Sequence, residues 1–254
     1  MTEQTVILLG GTGEVGSKTL AALLESPFVS RVHSYGRTSP EVDQAHTSKF
    51  THTPFDFDAL LAESTAPGAE SKKLSEVGAD AVIIALGTTR KNAGSAERFE
   101  KIDREYVLAA GKAARREDKT QRLVYVSSAG SDSSSWFLYP KSKGLTEEGL
   151  AAIGYNETFI FRPGYLAVPG GRNESRIAET AFGTVTNALS SFSSSLQIPT
   201  PVLGKALVKA ATLVPPSALK VSEYGKAEQL KGKEVWAVNN AAALKLGDAT
   251  SPRI

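Results

Sequence analysis

The apolar run Val6-Ile7-Leu8-Leu9 ends in Gly10-Gly11-Thr12-Gly13-Glu14-Val15-Gly16, and a helix-like stretch from Ser17 to Leu24 follows at once. These pieces read as a strand, a tight turn and a helix N-terminus. Glycines at Gly10, Gly13 and Gly16 let backbone approach a pyrophosphate, and the helix start presents unpaired N–H groups at its positive dipole end. The spacing alone is weak evidence, because glycine-rich turns are common. Its context adds weight: the turn follows a β-branched run and opens a βαβ unit, Val6–Leu9, Glu14–Glu25, Arg31–Tyr35. A dinucleotide is the first expectation. The alternative is a glycine turn that serves only strand–helix packing.

Gly11 to Thr19 nearly spells a P-loop, but Lys18 arrives one residue late, about a quarter-turn round the helix. The strands expected at 80–86 and 122–126 also run into Gly87 and Ser127-Ser128, not into an acid that would hold Mg²⁺. An NTPase is therefore not expected.

The 254 residues suffice for one large α/β domain. A net charge of +2 with both signs interspersed gives no electrostatic case for nucleic acid. The absence of cysteine excludes disulfides, thiolate catalysis and cysteine–zinc sites, and fits a reducing compartment. His33, His46 and His52 lack metal-ligand spacing. No stretch approaches the ~20 apolar residues of a membrane span. With strand one expected from residue 4, no cleavable signal or transit peptide is expected. That leaves a cytoplasmic location, or a peripheral one on a membrane facing the cytosol.

Apolar runs and helical periodicity alternate for two-thirds of the chain, which predicts a doubly wound parallel sheet with helices on both faces. Strands are expected at 49–55, 80–86, 122–126 and 158–161, an exposed loop at 62–72, and helices at 57–61, 95–116 and 139–153. Phe99, Ile102, Tyr106 and Ala110 share one face of the 95–116 helix. Beyond Arg162-Pro163-Gly164 the alternation stops. A C-terminal cap over the sheet's carboxyl edge is expected there, with a serine-rich helix over 177–195. Phe182, Val185, Leu189, Phe192 and Leu196 lie at helical spacing, but the polar face is serine, which favours a core-facing helix over a membrane anchor. The whole, 1–254, is expected to be one domain, with a cofactor-binding core over 1–165 and strands and cap over 166–254.

Tyr139 and Lys143 stand four residues apart, on one helix face, with Pro140 at the expected first helical position. Chance alone supplies about half such a pair in a chain like this. Position supplies the evidence, since the pair directly follows a strand and the Ser127-Ser128 loop. Reduction of a carbonyl by hydride leaves an alkoxide that needs a proton, and a free phenol at a pKa of about 10 exchanges one poorly at neutral pH. The Lys143 ammonium would favour phenolate and could hold ribose hydroxyls, while Ser128 would bind the substrate oxygen. A partly buried tyrosine beside a solvated lysine is the alternative.

These pieces resemble the short-chain dehydrogenases/reductases of the atypical branch. More narrowly, the chain resembles the HIV Tat-interacting protein/oxidoreductase family and its fungal relatives at the mitochondrial outer membrane. The matching segments are 10–16, 35–37, Asp56-Phe57, 86–90, 103–107, Ser127-Ser128, Tyr139 with Lys143, 161–164 and 174–176; residues 86–90 and 161–164 are the most specific. The resemblance implies a Rossmann fold that binds NADPH/NADP⁺, with Tyr139 and Lys143 at active-site positions. It implies that Thr12, Gly13, Glu14, Val15, Arg37, Leu86, Gly87, Leu166 and Arg176 line the cofactor. Peripheral association with the mitochondrial outer membrane is a further implication. Two departures stand out. The family's Arg-Arg pair is Arg37-Thr38 here, so part of its phosphate clamp is missing. Asp103 replaces an asparagine common in such enzymes, which puts their four-residue proton relay in question.

Arg37 also bears on cofactor choice directly. An NAD site wants a carboxylate at the end of strand two, whereas a guanidinium there suits the 2′-phosphate of NADPH. Asp56 could meet the adenine amino group or simply cap the helix behind it. Gly10, Gly16, Phe57, Thr88, Pro163 and Gly164 complete the expected cofactor contacts. Tyr165, Leu166 and Trp136 would shape a substrate pocket. The expected activity is NADPH-dependent oxidoreduction of a small carbonyl or alcohol. The other expectation is an NADPH-binding redox sensor that acts through partners with little turnover.

Overall fold

Val6, Ile7, Leu8 and Leu9 are all fully buried, as a strand covered on both faces should be. The computed structural model describes residues 3–63, 66–168, 197–212 and 225–248. It places this run inside β1 (Gln4–Leu9), followed by β2 (Val29–Gly36), β3 (Phe50–Pro54), β4 (Ala81–Ile84), β5 (Arg122–Val126) and β6 (Glu157–Arg162). A short parallel pair, β7 (Tyr165–Ala167) and β8 (Gln197–Pro199), stands apart from the main sheet. β9 (Lys226–Leu230) and β10 (Lys233–Asn239) complete that sheet, whose order is β3-β2-β1-β4-β5-β6-β10-β9. Every neighbouring pair is parallel except the edge pair β9–β10.

The helices are α1 (Glu14–Glu25), α2 (Phe57–Ala62), α3 (Ala69–Ser75), α4 (Arg90–Ala93), α5 (Ala96–Glu100), α6 (Tyr106–Ala114), α7 (Leu138–Ile153), α8 (Thr200–Thr212) and α9 (Asn240–Asp248). Strand alternation divides the core between two faces. Val6 and Leu8 pack with Leu20 and Leu23 of α1, Leu203 and Leu207 of α8 and Leu246 of α9. Ile7 and Leu9 pack on the other face with Leu60, Leu74, Val107 and Leu150. Each such buried side chain contributes about 1.5–3 kcal/mol. Lys49 Nζ donates to the carbonyls of Leu24 (2.9 Å) and Ser26 (2.7 Å), a cation at the negative end of α1.

Three local outcomes differ from expectation. The helix expected over 95–116 is α5, a π-helical turn (Lys101–Glu105) and α6. The expected loop over 62–72 is shortened by α3, because the Glu63 carboxylate accepts from the backbone N–H groups of Gly68, Glu70 and Ser71 at 2.8–3.0 Å. Those are the orphan donors of a helix start. α7 begins at Leu138, so Pro140 is its third residue; it still falls in the first turn, where a missing N–H costs nothing.

The described part of the C-terminal third adds to the sheet and its helical layer. β10 pairs with β6, and α8 lies so close to α1 that a Cβ on Gly204 would sit 2.8 Å from the Lys18 carbonyl carbon. The helix expected over 177–195 falls outside the described residues. Among the described residues no helix is long and apolar enough to cross a membrane.

Candidate active site

The strand order reverses direction between β1 and β4, and the carboxyl ends of parallel strands at such a point form a ligand crevice. Gly10 turns the chain there with φ +86°, and a Cβ on it would lie 2.6 Å from the Ala85 carbonyl oxygen. A Cβ on Gly16 would lie 1.9 Å from the Gly10 carbonyl oxygen. Packing explains both glycines. Gly13 is different. Its φ is −79°, and a Cβ on it would meet only the Gly10 oxygen at 3.4 Å, an ordinary contact. The fold thus gives no reason for a glycine at the exposed N-cap of α1, where no side chain caps the helix. Close approach of an anionic ligand does give one. Thr12 and Glu14 are exposed beside it, while the Val15 side chain belongs to the core.

Arg37, just past the end of β2, is exposed and makes no hydrogen bond or ion pair with the described residues. Asp56 caps α2, its Oδ1 accepting from the N–H groups of Asp58 (2.8 Å) and Ala59 (3.1 Å). Phe57 is buried, stacked on Tyr106 at 5.2 Å. A groove of about 630 Å³ starts at Gly11 and Thr12 and runs along α1 opposite Pro40 and Val42. None of Ser128, Tyr139 and Lys143 lines it.

Leu86, Gly87 and Thr88 follow β4, with Gly87 exposed. Directly beneath Gly87 lie two buried charges: a Cβ there would be 3.0 Å from Asp103 Oδ1 and 3.6 Å from Lys143 Nζ. The Lys143 ammonium stands 3.1 Å from Asp103 Oδ1 and donates to Tyr125 Oη at 3.2 Å. Burial works against the ammonium, but Asp103, Tyr125 and Tyr139 together hold its pKa well above the usual lysine value. Burial also raises the fully enclosed Tyr125, keeping it a phenol. Lys143 is therefore a buried, paired cation.

Tyr139 is half-buried in the first turn of α7, its ring 5.9 Å from that of Phe99. The serine loop is tied to that turn by a hydrogen bond from Asp132 N–H to the Pro140 carbonyl (3.0 Å). Of its two leading serines, Ser127 is buried and donates to Glu147, whereas Ser128 is half-exposed and its hydroxyl donates to the Ala129 carbonyl at 3.3 Å. Trp136 and Phe137 stand fully and largely exposed before α7.

After β6, the Pro163 carbonyl accepts from Ala129 N–H (2.8 Å), and Gly164 N–H donates to Asn240 Oδ1 (2.9 Å). Arg162 is occupied with Glu147 (2.7 Å) and Glu228 (2.9 Å). Leu166 is half-buried on β7. Arg176 lies outside the described residues.

Two buried residues beside the candidate site were missed by the sequence reading, Tyr125 against Lys143 and Glu147 against Ser127 and Arg162, and the Asp103–Lys143 pair was visible only as a substituted asparagine. One signal was available. Asp103 lies four residues after Phe99 and three before Tyr106, on the apolar face, where a carboxylate demands a partner.

A doubly wound sheet with a glycine turn at its reversal point defines a Rossmann-type fold. Residues 6–143 match the NAD dependent epimerase/dehydratase family, and the chain belongs to it. It is 37% identical over 211 residues to a protein called fmp52, mitochondrial, of Emericella nidulans, covering 81% of this chain and 86% of that one. A Candida albicans protein of the same name is 35% identical, covering 67% and 70%. Among solved structures, a short-chain dehydrogenase/reductase of Saccharomyces cerevisiae superposes with a TM-score of 0.62 at 12% identity, covering 96% and 99%. The Bordetella bronchiseptica enzyme WbmH, in complex with NAD⁺, gives 0.54 at 17% identity, covering 82% and 72%. At those identities the structures speak for the fold.

Proposed function

We propose that this single-domain protein is an NADPH-dependent oxidoreductase that interconverts a small carbonyl and its alcohol, with Tyr139 as the acid/base. The observation that carries this is the placement of Tyr139 one helical turn from Lys143, whose buried ammonium sits directly beneath Gly87 in the crevice. NADPH, when bound, supplies hydride at its nicotinamide ring. The uncapped start of α1 at Gly13 would hold the pyrophosphate, and the unpaired Arg37 the 2′-phosphate. Leu86, Gly87, Thr88, Pro163, Gly164 and Leu166 would border the nicotinamide half. Ser128 would orient the substrate oxygen, and Tyr139 would pass it a proton. Trp136 and Phe137, exposed ahead of Tyr139, suit an apolar substrate.

The names of the fungal relatives carry the word mitochondrial, which supports a mitochondrial site of action. A sensing role with little turnover draws on one observation: the Lys143 ammonium is already shared between Asp103 and Tyr125. The test is loss of dihydronicotinamide absorbance against a panel of small carbonyls. Tyr139→Phe should cut kcat by about 10²–10⁴-fold while NADPH still binds. Binding without turnover on any carbonyl would favour the sensor.

A further inference from the structure

The pair beneath Gly87 carries more than a binding role. Asp103 is wholly buried at the centre of the π-helical turn, and neither of its carboxylate oxygens makes a hydrogen bond. Its side chain thus faces one opposing charge, the Lys143 ammonium at 3.1 Å. Among the described residues, one side chain bonds to its backbone, Thr146 Oγ1 donating to the Asp103 carbonyl at 3.5 Å. The titratable groups facing the ammonium are Asp103 from the π turn, Tyr125 from β5 and Tyr139 from α7 itself. Glu147, one turn further along α7, is taken up by Arg162 and Ser127.

A lone ammonium one turn from a phenol pulls strongly toward phenolate. An ammonium with a carboxylate at 3.1 Å is a dipole, and the two opposite charges largely cancel a short distance away. The two protonation states of Tyr139 serve opposite reactions. In reduction, a carbonyl takes hydride at carbon from the dihydronicotinamide and a proton at oxygen from the phenol. A bound dihydronicotinamide would supply that hydride and be oxidised, and solvent would return the proton to the Tyr139 phenolate. In oxidation, the phenolate must accept the alcohol's proton first.

We propose that Asp103 is a positioning residue that fixes Lys143 and withholds part of its charge from Tyr139, which keeps the phenol a proton donor at neutral pH. This rests on the acid/base reading of Tyr139. It explains why a carboxylate, and not a neutral amide, stands beneath Gly87. An amide would hold the lysine without cancelling its field.

The test is an absorbance titration of tyrosinate in the purified full-length protein, with the step that Tyr139→Phe abolishes assigned to Tyr139. In Asp103→Asn that step should move down by one pH unit or more, while Asp103→Glu, which keeps the charge, should stay near wild type. Asp103→Ser serves as a second neutral variant should the amide not fold. With a carbonyl as probe, the pH above which the reduction rate falls should move down in Asp103→Asn along with that step. A step unmoved or moved upward in the neutral variants overturns the proposal. The titration needs neither cofactor nor turnover, so failure to bind NADPH would sink the proposed function by a separate observation.

Discussion

A β-carbon on Gly16 would lie 1.9 Å from the carbonyl oxygen of Gly10, a distance no atom pair tolerates, and both partners are backbone. Gly16→Ala must therefore displace the turn or the start of α1. We expect it to cost about 1–3 kcal/mol in chemical denaturation, through overpacking. Gly13→Ala should cost far less, since its Cβ meets only an ordinary 3.4 Å contact. Its defect should appear in NADPH titrations, as at least a tenfold loss of affinity from a stable protein. Equal loss of stability in the two variants would reduce the turn to a packing device.

Arg37 is free to meet a ligand, and a guanidinium–phosphate contact contributes about 1.5–3 kcal/mol. Arg37→Ala should weaken NADPH binding about tenfold or more and leave NADH binding unchanged. Calorimetric titration with both nucleotides would read the difference. An equal effect on each would remove the 2′-phosphate from the account.

Arg162 lies within the segment 161–164, one of the two most specific matches to the resembled family, yet its contacts mark it as structural. Arg162→Ala leaves the Glu147 carboxylate, 3% exposed, with Ser127 as its one remaining donor among the described residues. Stripping a partner from a buried charge costs about 3 kcal/mol. Glu228→Gln, at the more exposed end of the same network, should cost at most about 1 kcal/mol. Urea unfolding of the two variants should rank them in that order.

Glu63 ties its carboxylate to the start of α3. Hydrogen bonds, led by the Ser71 N–H and joined by those of Glu70, the Ser71 side chain and Gly68, outweigh desolvation and push its pKa down to about 2, from 4.5. The folded value lies below the unfolded one. The stabilisation is therefore whole above pH 4.5 and fades as pH falls toward 2. Hydrogen exchange at the amides of 68, 70 and 71 should speed up over that window relative to amides elsewhere. In Glu63→Gln this extra acceleration should vanish; its persistence would assign the effect to another acid.

Those four effects separate what the chain made legible from what it hid. The parallel sheet was readable because β1, β4 and β5 are short apolar runs and α1 and α7 are long and periodic. Local chemistry decided the misplaced boundaries. Glu63 reaches past its neighbours to start α3 early, and the π turn at Lys101–Glu105 leaves no mark in the 3.6-residue spacing of Phe99, Ile102 and Tyr106. β10 could not be placed individually because three of its seven residues, Lys233, Glu234 and Asn239, are polar and exposed, and pairing with β6 is what makes it a strand. Asp56 could be assigned two ways by sequence, and the structure shows it capping α2. Tyr125 looked like any core residue until Lys143 was seen against it.

The most direct test of the account is thermal unfolding of the purified protein with increasing NADPH and, in parallel, NADH. At a hundredfold excess over Kd, binding adds about 2.7 kcal/mol of stability. Tm should rise clearly with NADPH and less with NADH, and Arg37→Ala should lose the NADPH advantage. No rise with either nucleotide would contradict it, leaving the glycine turn as packing alone.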